Sequence, residues 1–172
     1  GLDYSSINTD WQDEVFHPNA FMHNYNLSVD GGGEKGHYAF SASYFGQEGT
    51  IIGSDYQRFT LRLNSDVQLF KWLTIGEHLS FVHSSGRNAM NNSSSPGASV
   101  ISAALAMAPW DPTHYPEGSV NAQGEDISGR TAASSNFKNV TNPFSMVNES
   151  YPLDKTNRWV GDIYLEIKPV EG

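Results

Sequence analysis

Polar and apolar residues alternate with period two in five separate stretches of this chain, the spacing that sends successive side chains to opposite faces of a β-strand. The clearest runs from Arg58 to Leu69. There Phe59, Leu61, Leu63, Val67 and Leu69 share one face, and Arg58, Thr60, Arg62, Asn64, Asp66 and Gln68 share the other. Tyr25, Leu27 and Val29 alternate with Asn26, Ser28 and Asp30, and Tyr38, Phe40, Ala42 and Tyr44 alternate with small or polar residues. Leu73, Ile75, Leu79 and Phe81 form one face of the stretch ending at Val82. Beyond Arg158, Trp159, Ile163, Leu165 and Ile167 oppose Asp162, Tyr164, Glu166 and Lys168. The pattern predicts an all-β, antiparallel chain with four strands in 23–82 and a fifth at 158–168.

The predicted connections are unequal. Gly31 to Gly36 reads as a tight turn, Phe70-Lys71-Trp72 as little more than a turn, and Gln47 to Gln57 as a medium loop. The polar stretch 83–157, roughly seventy residues, is far beyond ordinary loop lengths. Short and long connections alternate as they do in an outer-membrane β-barrel, whose strands of ~9–11 residues join through short periplasmic turns and long extracellular loops. On that pattern, 1–22 is the end of an extracellular loop and 83–157 a long extracellular loop. Within it the Ala-rich stretch Ser99 to Ala108 predicts a short helix over the barrel mouth, with Ser95 as N-cap, Pro96 in the first turn and Pro109 as the stop. Phe59, Phe70, Trp72, Phe81 and Trp159 gather toward strand ends, either as an interfacial girdle or through the general preference of aromatics for strands.

Face assignment follows. Phe59, Leu61, Leu63, Ile163 and Leu165 are expected to face lipid, and Arg62, Asn64, Asp66, Gln68, Asp162 and Glu166 a polar lumen. Glu77 breaks the pattern, because it shares the apolar face of Ile75 and Leu79. It lies near an interface, faces neighbouring protein, or marks a register slip at Gly76.

Composition alone does not separate a polar-lined barrel from a secreted or surface β-sandwich that binds carbohydrate. Both accommodate 38% hydrophobic residues with 12% aromatics. The net charge of -9, with no cluster of Lys or Arg along the sequence, argues against nucleic acid. The absence of cysteine excludes disulfides and thiolate metal sites. No apolar run reaches the ~18 residues of a membrane-spanning helix. The chain opens at Gly1-Leu2-Asp3-Tyr4 and closes on Lys168-Pro169-Val170-Glu171-Gly172, in what reads as mid-hairpin, so it is expected to be an internal piece.

Little chemistry is encoded locally. Gly31-Gly32-Gly33-Glu34-Lys35-Gly36 satisfies G-x-G-x-x-G, but a strand pattern follows it where a dinucleotide site needs a helix. The histidines have no metal-ligand spacing, and no nucleophile motif occurs, so neither an enzyme nor a cofactor is expected. A sandwich-type glycosidase would need two converging carboxylates, and no pair is singled out. Candidate ligand contacts are Trp110, Asp111, His114, Tyr115 and Asn142 of the long loop, where aromatic faces can stack on sugars or side chains and polar groups can hydrogen-bond them.

Several stretches, in order, resemble the SusC/RagA group of TonB-linked outer-membrane proteins. They are Asn8-Thr9-Asp10-Trp11-Gln12-Asp13-Glu14-Val15-Phe16, then His23-Asn24-Tyr25-Asn26-Leu27-Ser28-Val29 with Gly31-Gly32, and then Tyr44-Phe45-Gly46-Gln47-Glu48-Gly49. Gly53-Ser54-Asp55-Tyr56-Gln57-Arg58-Phe59-Thr60-Leu61-Arg62, Trp72-Leu73-Thr74-Ile75-Gly76 and Tyr164-Leu165-Glu166-Ile167-Lys168-Pro169 continue the series. Glu77 departs from it, since an apolar residue usually stands there. The resemblance implies five early strands of a 22-stranded TonB-dependent transporter barrel in the outer membrane, with the plug domain absent from this stretch. It also implies a SusD-like surface lipoprotein and the TonB complex as partners, and import of glycans or peptides.

Overall fold

The structure, a computed structural model, describes residues 6–88, 97–135, 138–148 and 153–169. The chain divides into two compact units. One is Phe21–Glu48, Asp55–Gly86 and Leu153–Gly172; the other is Gly1–Ala20, Gly49–Ser54 and Arg87–Pro152.

The first unit is a single antiparallel sheet of five strands in sequence order: β1 (Met22–Gly33), β2 (Gly36–Glu48), β3 (Asp55–Phe70), β4 (Leu73–Arg87) and β5 (Asp154–Ile167). The strands outrun the alternating segments: β4 continues past Val82 to Arg87, and β5 starts at Asp154. The extra residues, such as Ser84, Ser85, Thr156 and Asn157, are polar on both faces, so they carry no alternation to detect.

The β1–β2 turn is also tighter than the glycine run suggests. Gly31, Gly32 and Gly33 belong to β1, and only Glu34 and Lys35 connect the strands. These glycines leave room instead for the opposing ring. Gly31 faces Tyr38 and Gly32 faces His37 across the ladder, and a Cβ on Gly31 would come within 2.6 Å of the Tyr38 hydroxyl. Gly46 opposite His23 and Gly76 opposite Tyr164 repeat the device.

Register fixes the faces. Tyr25 pairs with Tyr44 and Tyr44 with Phe59; Val29 pairs with Phe40 and Phe40 with Leu63. On β4 and β5, Ile75 pairs with Leu165 and Phe81 with Trp159, the two rings 4.3 Å apart. The ladder from Leu73↔Ile167 to Gly86↔Asp154 is unbroken, so no slip occurs at Gly76. Glu77 sits on the apolar face opposite Ile163 and accepts a hydrogen bond from the Ser65 hydroxyl at 3.3 Å.

That apolar face is open. Trp159 is 76% and Ile163 75% exposed, and Leu27, Val29, Val67, Leu69, Leu79, Leu165 and Ile167 are exposed with them. Among the described residues there is no second sheet of the kind a β-sandwich packs against such a face. The eight aliphatic side chains in that group are 45–75% exposed, so completing their burial would gain roughly 7–14 kcal/mol together. This is comparable to the ~5–15 kcal/mol stability of a whole domain, so the face favours an apolar environment.

The second unit has its own core of Trp11, Val15, Ile51, Val100, Ala103, Ala104, Met107, Val140 and Val147. Most of the stretch read as a long loop therefore belongs to a folded body that also takes in Gly1–Ala20 and Gly49–Ser54. Its helices are α1 (Val100–Ala106) and α2 (Pro143–Asn148). The cap of α1 is Ser99, whose side chain accepts from the Ser102 N–H, and not Ser95, which with Pro96 lies outside the described residues. Trp11 locks the amino-terminal segment to the end of that helix, its indole donating to the Ala108 carbonyl at 2.9 Å. Phe16 bridges to Ile51, and Gly53 turns the short 49–54 segment at φ +80°, the left-handed region that suits glycine.

Candidate functional site

The polar face of the sheet gathers side chains that the linear sequence keeps apart. Near the two short turns, Asp30, His37, Asn64, Asp66, His78 and Tyr164 line a hollow of about 570 Å³. Asp66 lies 3.3 Å from His37 Nδ1, Asp162 lies 3.0 Å from His78 Nδ1, and the His78 ring stacks on Tyr164. Farther along the strands, toward the ends that lead into the second unit, a groove of about 600 Å³ is lined by Tyr56, Arg58, Thr60, Arg62, Thr156 and Arg158 among others. The Arg58 guanidinium lies over the Phe45 ring, 5.8 Å from its centre.

Arg62, Asn64, Asp66 and Gln68 alternate along β3 with Phe59, Leu61 and Leu63, and register places Asp162 and Glu166 of β5 opposite the face of Ile163 and Leu165. Leu61 and Leu63 are half-buried by neighbouring side chains, whereas Ile163 and Leu165 are exposed. The turn-proximal end of the polar face carries internal pairs, Glu166 with Lys168 among them at 3.6 Å. Sequence reasoning had no means of bringing Arg158 beside Arg58 and Arg62, or His78 beside Asp162, because strand register across a long connection is not written locally.

The five loop candidates fall into two groups. Asp111 is 2% exposed; its carboxylate accepts from the Ser135 N–H at 3.1 Å and the Ser134 hydroxyl at 3.3 Å. Asn142, 5% exposed, donates to the carbonyls of Thr113 and Ala132 and accepts from the Phe144 N–H, which starts α2. Both residues spend their polar atoms on the fold of the second unit. His114 packs edge-on against Phe144, and the Tyr115 hydroxyl accepts from the Ala133 N–H. Trp110 keeps an open ring face, 51% exposed, while its indole N–H reaches Ser135. Beyond them, hydrogen bonds from the Ser128 hydroxyl, and then from its backbone N–H, hold the Asp126 carboxyl below the usual carboxylate range.

No family model matches the chain. It is 28% identical over 171 residues to TonB-dependent receptor P3 of Formosa agariphila, and 28% identical over 177 residues to TonB-dependent receptor SusC of Bacteroides thetaiotaomicron, each match covering 96% of this chain. The chain spans 16% and 17% of the length of those two proteins. A solved chain described as the RagAB peptide importer in its closed-closed state superposes with a TM-score of 0.66 at 20% identity, over 97% of this chain and 18% of its own length. The similarity is thus to TonB-dependent receptors of the SusC/RagA kind, a non-catalytic class, and the five-stranded sheet is consistent with part of a larger β-rich transporter fold. Among the described residues no cluster of three His, Asp or Glu could hold a metal ion.

Proposed function

We propose that this chain forms five adjacent strands in the wall of a TonB-dependent outer-membrane importer, with the polar face turned to the solute path and the apolar face to lipid. The observation that carries the proposal is the open apolar face set back to back with a polar, hollowed one. From Trp159 to Ile167 the apolar side of β5 covers eight residue steps, roughly 26 Å at ~3.3 Å each. A strand tilt of ~40° reduces this to roughly 20 Å, close to the ~25 Å apolar band of outer-membrane barrels. Tyr25, Tyr44, Phe59, Phe81 and Trp159 then supply an aromatic girdle toward one end, and Phe70 stacked on Trp72 at 5.5 Å supplies one at the other.

In this reading the turns at Glu34-Lys35 and Lys71-Trp72 face the periplasm, and the second unit is extracellular, on the side of a SusD-like lipoprotein. Arg62, Asn64, Asp66, Gln68, Asp162 and Glu166 line the lumen. Phe59, Leu61, Leu63, Ile163 and Leu165 contact lipid. The solute is a glycan or a peptide, with Trp110 the leading loop contact and His114 and Tyr115 behind it. TonB and a plug act through parts of a longer protein.

The test is lipid exposure in the intact parent protein reconstituted in bilayers. Spin labels at Leu61 and Leu63 should be relaxed by lipid-soluble oxygen, and labels at Arg62 and Asn64 by a water-soluble reagent. Shielding of Leu61 and Leu63 from both would mean that the apolar face is a protein core, and the proposal would be withdrawn.

A further inference from the structure

Three of the chain's five arginines, Arg58, Arg62 and Arg158, line one groove on the polar face of a chain whose net charge is -9. All three are exposed, and among the described residues none of them makes an ion pair; Arg58 lies over the Phe45 ring. The nearest acid along β3 on that face is Asp66, four residues beyond Arg62. Four residues of strand is roughly 13 Å, more than the ~10 Å over which charges act on each other in 0.1 M salt. Asp66 and Asp162 are in any case occupied with His37 and His78. The polar face is therefore zoned, with acids and histidines near the short turns, Asp154 at the loop end of β5, and a belt of bare guanidiniums between them. The groove between the arginines is floored by hydroxyls such as Thr60, which suit sugar or backbone groups between charges.

From this zoning we infer that the groove is a recognition site for an oligomeric solute bearing oxyanion groups, carboxylate or sulfate, each gripped by a forked guanidinium. The inference rests on the proposed import function and names the solute class for it. A solute entering from the loop ends reaches the arginine belt before the acids and histidines near the turns.

The test is arginine modification by phenylglyoxal, read residue by residue by mass spectrometry on the full-length transporter in detergent. The probes are tetragalacturonate for carboxylates, a κ-carrageenan tetrasaccharide, which bears sulfate and no carboxylate, for sulfates, and maltotetraose as the neutral control. Arg58, Arg62 and Arg158 should react readily in the free protein. At least one charged probe should slow all three about tenfold, maltotetraose should not, and an R58Q/R62Q/R158Q variant should bind that probe at least tenfold more weakly. Which charged probe protects separates carboxylate from sulfate. Arginines already unreactive in the free protein would mean that the rest of the chain occupies the groove, and would overturn the site. Equal protection by maltotetraose, or none by either charged probe, would overturn the anion site. The lipid-exposure experiment at Leu61 and Leu63 stands apart from these outcomes, so loss of the anion site and loss of the barrel wall are distinguishable.

Discussion

At the scale of single residues, the most constrained group is Asn142. One side-chain amide ties three stretches together: the Thr113 carbonyl at 3.0 Å, the Ala132 carbonyl at 2.7 Å and the Phe144 N–H at 2.9 Å. Asn142→Ala removes both donors and the acceptor from a buried site, and unsatisfied buried groups cost about 1–3 kcal/mol each. The expected loss is about 2–4 kcal/mol in the second unit, seen as earlier protease cutting around 113–148 while the sheet is unaffected. Asn142→Asp should be at least as damaging, because a carboxylate cannot donate to two carbonyls. A tolerated Asn142→Ala paired with lost solute binding would instead return Asn142 to the ligand contacts. Glu77 is the contrasting case: its carboxylate accepts one hydrogen bond, from Ser65, on a face that otherwise carries apolar groups.

At the scale of elements, the sheet depends on glycine standing under large side chains, and the cost of filling each gap follows from what occupies it. At Gly36 a Cβ would come within 2.7 Å of the Asp66 carbonyl, which is backbone and cannot yield without parting β2 from β3. At Gly76 the obstacle is the outer part of the Tyr164 ring, which can swing aside at the expense of its stack on His78. At Gly33 nothing lies within 4 Å. Gly36→Ala should therefore destabilise by about 1–3 kcal/mol, as overpacking does. Gly76→Ala should cost about 0.5–1.5 kcal/mol, the worth of an aromatic contact, and Gly33→Ala should lie within ~0.5 kcal/mol of the parent. Denaturant unfolding of the full-length protein in detergent orders the three; a Gly36→Ala variant as stable as Gly33→Ala would contradict the β2–β3 register.

For the whole molecule, the decisive features are two open edges and one open face. Among the described residues β1 and β5 have a partner on one side only. Unpaired N–H and C=O groups cost several kcal/mol each in hydrocarbon, and in water the apolar face is unsupported. The 172-residue chain produced alone should therefore give no cooperative melt, bind a hydrophobic dye and aggregate, whereas the same stretch within the longer protein should resist protease in bilayers. A soluble monomer with a single sharp transition would require a different partner for the apolar face, and the importer reading would fall with it.

Alternation by itself determined the strands, their number and their two faces, because a strand's period of two is a local property that survives any tertiary arrangement. Arg62 and Leu61 were assignable to opposite sides from neighbours alone. The reach of β4 to Arg87 was not, since residues polar on both faces leave no period, and neither was the capping of α1 by Ser99. The core of the second unit was legible only at 100–107: Trp11, Ile51 and Val140 pack with that helix, yet each sits among mostly polar neighbours, so nothing local announces that the three segments join. Only tertiary structure decided that Asp111 and Asn142 serve the fold, and that Arg58, Arg62 and Arg158 share a groove. Register across a connection of some sixty residues depends on long-range pairing, and that pairing, not the local pattern, sets which charges meet.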